Sequence, residues 1–355
     1  MSTLVRASAP PVRPEETLAA GPLHERGMWA LVGRTPLVEI RYRLDGKPRR
    51  LFAKYEQSSL TGSIKDRMAA WILAKAYASG DLHPGDTIAE ATSGNTGVSF
   101  CGIGRALGHP VRIFMPDWMS RERVDLIRSF GGQVVPVSRG EGGFLGSIEL
   151  CERFARENPR TFLPRQFENP ANVEAHELFT APEIERQLAT LELAPDAVVA
   201  GVGTGGTIMG LARGLRRTDP RVKAHPLEPA ESPTLRTGCK VGKHRIQGIS
   251  DEFVPALLRL DELDPVVDVN DGDAILMAQA LCETLGLGVG TSSGANVIGA
   301  IQRVEAMGSD AVVVTVLADS NKKYLSTDLC REEPVREGYW TPRVELTGWR
   351  ALSGA

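Results

Sequence analysis

The sequence predicts an α/β protein with open, mostly parallel sheets flanked by helices. Three observations predict it. Short β-type runs alternate with helical patterns along most of the chain. Glycine and proline punctuate the junctions, as in Gly108-His109-Pro110 and Asn169-Pro170. Two loops of glycine and small polar residues each follow a strand-like run directly, which is where open sheets bind ligands.

The elements follow in order. Phe52 to Tyr55 reads as a strand, followed by a helix from Lys65 to Ser79. Thr87 to Ala91 is the next strand, with a helix to Leu107. Val111 to Met115 is a strand, then Ser120 to Phe130 a helix, then Val134 to Val137 a strand. Ala197 to Val202 enters a glycine loop and a helix to Arg217, and Ala311 to Leu317 is a late buried strand. Residues 1–30 are rich in Pro, Ala and Glu and read as a loose arm; the residues after Glu333 show no periodicity and read as a surface tail.

A chain of 355 residues is comfortable for two closely packed domains. Its net charge of -3 implies no broad attraction to nucleic acid or an anionic membrane. The longest apolar runs, such as Ala311 to Ala318, are too short to span a bilayer, and Met1 to Gly21 has no apolar centre of a signal peptide. Single cysteines at 101, 151, 239, 282 and 330 read as buried, reduced thiols of a cytoplasmic protein. The six histidines show no HxxxH or HExxH spacing, so no metal site is expected.

Three loops carry the chemistry. Thr61-Gly62-Ser63-Ile64-Lys65-Asp66-Arg67 places a lysine at the start of a helix, near the positive end of its dipole. That position disfavours the ammonium and favours the neutral amine needed to form an imine; a solvated surface lysine is the plain alternative. Thr92-Ser93-Gly94-Asn95-Thr96-Gly97 offers several donors at a strand end, suited to a carboxylate or a phenolic oxygen, or else to simple helix capping. Gly203-Thr204-Gly205-Gly206-Thr207 can form an anion nest for a phosphate. Read from Gly201, this stretch also satisfies G-x-G-x-x-G, with Glu228 about twenty residues on, so a dinucleotide is the competing guest.

In this order and spacing the three loops resemble the pyridoxal-phosphate (PLP) enzymes of the cysteine synthase and cystathionine β-synthase family, fold type II. Further matches are Gly33-Arg34-Thr35-Pro36-Leu37, Gln166-Phe167-Glu168-Asn169-Pro170, Pro182-Glu183-Ile184, Ile246-Gln247-Gly248-Ile249, Gly290-Thr291-Ser292-Ser293-Gly294, and Asp319-Ser320 leading into Lys323-Tyr324-Leu325-Ser326-Thr327. The resemblance spans residues 30–330. It implies that Lys65 carries the cofactor as an imine and shuttles the α-proton, and that Asn95 faces the ring hydroxyl. It implies that Thr92, Ser93, Thr96 and Gln166 hold the substrate carboxylate, and that Gly203, Thr204, Gly205, Gly206 and Thr207 cradle the phosphate. Ser292 would face the pyridine nitrogen. A neutral serine there offers no charge to hold the nitrogen protonated, which weakens the electron sink and favours β-elimination to an aminoacrylate over transamination.

The resemblance further implies a homodimer and two domains around a cofactor cleft. The smaller would span residues 58–167; the larger, 31–57 and 168–335, followed by a tail at 336–355. Two departures stand out. Ser59-Leu60 replaces the family's Asn-Pro ahead of the lysine, and Gly248-Ile249-Ser250-Asp251-Glu252-Phe253 replaces a run of small residues. An acid at Asp251 facing the site would serve as a general base and would repel anionic sulfide; the alternative is a solvent-facing loop acid.

The expected reaction is cysteine synthase-like β-replacement or β-elimination on a cysteine- or serine-type amino acid, such as O-acetylserine plus sulfide to cysteine. The alternatives are a cysteine desulfhydrase-type lyase and a serine or threonine deaminase. A nicotinamide-dependent oxidoreductase and a catalytically silent scaffold are the readings from other classes.

Overall fold

The computed structural model describes residues 14–19 and 21–353. Eleven strands occur among them: β1 (Leu37–Leu44), β2 (Lys47–Tyr55), β3 (Thr87–Ala91), β4 (Val111–Pro116), β5 (Gln133–Val137), β6 (Thr161–Phe162), β7 (Ala197–Gly201), β8 (Lys223–Pro229), β9 (Val267–Val269), β10 (Val313–Leu317) and β11 (Val344–Leu352). They form a seven-stranded sheet in the order β11-β1-β2-β10-β7-β8-β9 and a four-stranded sheet in the order β5-β4-β3-β6. The smaller sheet is parallel throughout, and the larger is parallel from β2 across to β9.

Local chemistry accounts for the elements. Asp45 and Gly46 both have positive φ and make the two-residue turn that joins β1 to β2, the hairpin signal of an Asp-Gly pair. The helix Lys65–Ser79 stops at Gly80, whose left-handed φ of 78° lets its N–H reach the carbonyls of Ala76 and Tyr77. The β3 run is buried from Ile88 to Ala91 because helices cover both faces of its sheet. On one face lie Lys65–Ser79 and Asn95–Ala106, on the other Gly143–Glu157. The larger sheet is sandwiched likewise, between Asp271–Leu285 with Thr291–Met307 and Ala181–Ala189 with Gly206–Thr218.

Both chain ends depart from expectation. Residues 344–352, read as part of a tail, pair antiparallel with β1. Only Leu346 of that strand is buried, so it shows no apolar alternation to read; backbone pairing makes the strand and covers an edge. Of the expected loose arm, residues 1–13 and 20 lie outside the described residues. The rest forms the short helices Pro14–Ala19, Gly21–Glu25 and Met28–Ala30, with Leu23 and Met28 buried in the core around the Lys65–Ser79 helix. No helix among the described residues is long and apolar enough to cross a membrane.

Candidate active site

A cleft of about 830 Å³, including its open mouth, lies between the two sheets at the carboxyl ends of β3, β7 and β10. Its walls include Lys65, Thr92, Ser93, Asn95, Thr96, Gln166, Gly203, Thr204, Gly205, Thr207, Asp251 and Ser292. Of the residues that the resemblance assigns to cofactor or substrate, only Gly206 is absent from the wall. It sits behind, where a Cβ would come within 2.1 Å of Asn172 Oδ1.

Lys65 opens its helix at the floor of the cleft. A β-bridge between Ser63 and Asp319, and the bond from Ile64 N to the Ala318 carbonyl at 2.9 Å, tie this turn to the end of β10. Burial pushes the Lys65 amine below its ordinary value. Asp319 and Asp251 oppose that shift, and Lys323 adds to it.

The Thr92–Gly97 loop is built by close approach. A Cβ on Gly94 would lie 2.6 Å from Arg123 Cδ, so glycine lets the buried Arg123 side chain pack under the loop. Thr96 Oγ1 donates to Gln166 Oε1 at 2.6 Å, and Gln166 Nε2 donates to the Ala91 carbonyl at 3.0 Å. Beneath them Glu90 accepts from Ala91 N and Gln166 N; burial pushes its carboxyl up to about 8. Asn95 Nδ2 donates to Asp319 Oδ2 at 2.8 Å, and Lys323 Nζ donates to Asn95 Oδ1 at 2.9 Å.

The Gly203–Thr207 loop leads from β7 into the helix Gly206–Thr218. A Cβ on Gly203 would stand 2.5 Å from the Gly248 carbonyl oxygen, and Gly205 has φ of 82°. Asn172 Nδ2 donates to Thr204 Oγ1 at 2.9 Å, and Thr207 Oγ1 lies 3.3 Å from His176 Nε2. Burial, with the positive charges of Arg67 and Lys65, keeps His176 well below the ordinary histidine value and so neutral. Small residues, backbone amides at a helix start and neutral side chains suit a phosphate. Glu228, the acid of the dinucleotide fingerprint, is fully buried and accepts from Leu235 N at 2.6 Å and Arg236 Nε at 2.8 Å. It is engaged within its own chain and unavailable to a ribose.

Asp251 lines the cleft as well. Ser250 before it takes a left-handed φ of 54° and is buried, its Oγ donating to the Ser232 carbonyl at 3.0 Å. This turn directs Asp251 inward. Burial pushes its carboxyl up to about 6, while Lys240 and Lys65 pull it down. Phe144 and Phe167 form a further wall and pack with Phe253 at ring separations of 5.7, 6.5 and 5.1 Å. The second residue of the helix Thr291–Met307 is Ser292, a neutral hydroxyl in the cleft.

Sequence reasoning assigned no role to Glu90, Arg123, Asn172 or His176. Asp319, Lys323 and Tyr324 carried the resemblance but no role. Arg123 reaches the cleft wall itself, and the others act behind it, where loop motifs give no signal. Among the described residues there is no group of three or more His, Cys, Asp or Glu arranged to hold a metal.

The family profile described as "Pyridoxal-phosphate dependent enzyme" matches residues 28–319. The chain belongs to this family of PLP-dependent enzymes. The cleft fits the cofactor: a lysine with a depressed amine at its floor, a glycine cradle with no room for Cβ atoms, and small polar groups between. Among relatives of this PLP enzyme is the probable cysteine synthase of Bacillus subtilis (strain 168), 38% identical over 84% of this chain and 96% of its own. The solved hydrogen sulfide-producing enzyme of Fusobacterium nucleatum is 53% identical, covering 93% of this chain and 99% of that one, with a TM-score of 0.90. The cysteine synthase of Entamoeba histolytica is 34% identical, covering 89% and 93%, with a TM-score of 0.79.

Proposed function

We propose that the protein removes the β-substituent of a cysteine- or serine-type amino acid, and that its favoured reaction releases sulfide from L-cysteine. The observation that carries the direction is Asp251, a carboxyl pushed up to about 6 inside the cleft. A carboxylate there repels incoming hydrosulfide and accepts a proton from a neutral water or thiol, which disfavours synthesis from sulfide. The relative named for sulfide production, 53% identical, supports the same direction.

The roles follow the site. Bound PLP supplies an electron sink for the pair left at the α-carbon. Lys65 holds the cofactor and moves the α-proton, its lowered basicity leaving an amine able to do both. Thr92, Ser93, Thr96 and Gln166 hold the substrate carboxylate. Asn95 would hold the ring hydroxyl, and the Gly203–Thr207 loop would cradle the phosphate. Ser292 would face the ring nitrogen and bring no charge to it. The C–S bond breaks with its pair going to sulfur, which departs as hydrosulfide. Asp251 takes a proton from the nucleophile that adds at the β-carbon.

The second reading is synthesis of cysteine from O-acetylserine and sulfide, favoured by the 38% identical cysteine synthase relative. A product profile separates them. Sulfide from L-cysteine alone, with serine or pyruvate as co-product, supports the proposal. Cysteine formed from O-acetylserine and sulfide, with no sulfide from cysteine, overturns it in favour of the synthase. Serine or threonine deamination without sulfide release would point to the deaminase instead.

We also propose a homodimer in the cytoplasm, with residues 58–167 acting as a smaller mobile unit against 31–57 and 168–335. The resemblance supports the dimer, the division into two sheets supports the units, and the five free cysteines suit a reducing compartment, although only Cys101 and Cys151 are buried as expected, while Cys239 and Cys330 are exposed. Light scattering tests the dimer.

A further inference from the structure

Asn95 is the one amide among the residues assigned to the cofactor ring, and an amide can present either of two faces. Its oxygen only accepts and its nitrogen only donates, so a flip would reverse what the cleft meets. Two buried groups behind it decide the matter. Lys323 Nζ can only donate, and lies 2.9 Å from Oδ1. The Asp319 carboxylate accepts from Nδ2 at 2.8 Å and from the Tyr324 hydroxyl at 2.6 Å. In the flipped state the ammonium would face N–H groups and the carboxylate would face a carbonyl, both repulsive. Nδ2 carries two hydrogens and Asp319 takes one, which leaves one N–H for the cleft that Asn95 lines.

Lys323 is built for this task. It is 4% exposed, and its Nζ also donates to the Gly62 carbonyl at 3.2 Å, three residues before Lys65. Burial lowers its amine, the negative charges of Asp319 and Asp66 oppose that shift, and Arg123 adds to it. Its own loop is pinned from both sides, by Ser120 Oγ donating to the Lys323 carbonyl at 3.3 Å and by Ser326 donating to Glu122 at 2.7 Å. One side chain from the end of the larger sheet thus fixes two loops of the smaller one. It lies behind the cleft wall, so it acts through Asn95.

We propose that Lys323 is a positioning residue that locks Asn95 as a hydrogen-bond donor toward the aromatic hydroxyl of the cofactor. This rests on the reading above that Asn95 faces that hydroxyl. Charge transmitted through the polarised amide favours the ionised oxygen, which absorbs in the visible, over the protonated form, which absorbs in the near-ultraviolet.

The test compares PLP-loaded wild type with Lys323→Met, Lys323→Arg and Lys323→Gln. The measurements are the visible to near-ultraviolet absorbance ratio, the rate of cofactor loss on dilution, and circular dichroism for folding. Lys323→Met is expected to lower the ratio and to lose PLP about tenfold faster, the scale of one charge-assisted hydrogen bond. Lys323→Arg should restore both. Lys323→Gln, an uncharged donor, should fall between, and it carries the test if the methionine variant does not fold. A folded Met or Gln variant with wild-type ratio and wild-type PLP loss overturns the proposal. A wild type that takes up no PLP would instead overturn the functional reading beneath it.

Discussion

Thr96 Oγ1 donates to Gln166 Oε1 at 2.6 Å across the floor of the cleft, joining the helix after β3 to the segment that closes the smaller sheet. With its oxygen so held, Gln166 keeps its amide nitrogen for the Ala91 carbonyl and for whatever enters the cleft. Thr96→Val keeps the shape and removes the donor. The KM for the amino acid should rise by roughly tenfold, with kcat and the thermal midpoint little changed. Steady-state kinetics checks it.

Asp251 supplies the pH dependence. Its carboxyl is pushed up to about 6, and the ionised form is the one that accepts a proton. The steady-state turnover of L-cysteine should therefore climb as pH rises through that value, if Asp251 deprotonates the adding nucleophile as proposed. Asp251→Asn should lose this limb and slow the reaction by roughly a hundredfold. A variant that keeps the limb would assign it to another group.

Glu90 predicts a stability effect of the opposite sense. Its folded-state value of about 8 lies far above an ordinary carboxyl, so the folded protein keeps a proton there that the unfolded chain has released. Stability from this group is full below the ordinary carboxyl value and is lost as pH rises toward and through the folded value. Thermal midpoints between about pH 5 and about pH 8 should fall more steeply for wild type than for Glu90→Gln, which cannot titrate.

Arg67, two residues past Lys65, is buried between Glu56 and Glu183, with bonds of 2.7 to 2.9 Å to each. Lys54 and Thr35 complete the cluster. Arg67→Met would leave buried carboxylates without their main partner, and denaturant unfolding should show a loss of about 3–5 kcal/mol. A loss near zero would mean that the cluster rearranges freely.

The sequence was most informative where local chemistry decides structure. Lys65–Ser79 and β3 were legible to the residue because a glycine or a turn bounds each. The loops that line the cleft were legible because glycine and small polar residues at strand ends have few other uses, and Asp251 stands out by replacing small residues. The supporting layer was not legible. Lys323 meets Asn95 from 228 positions away, and Glu90 meets Gln166 from 76 away, so neither pair leaves a local pattern. β11 escaped notice because backbone pairing, rather than a buried face, makes it a strand.

Three lysines have amines lowered by burial: Lys54, Lys65 and Lys323. Of the three, only Lys65 lines the cleft, so the cofactor is proposed to bind there alone. The most direct test is to reduce the PLP-loaded protein with borohydride and map the labelled peptide by mass spectrometry. The label should fall on Lys65, and Lys65→Ala should take up none. A label on Lys54 or Lys323, or undiminished labelling of Lys65→Ala, would contradict the account at its centre.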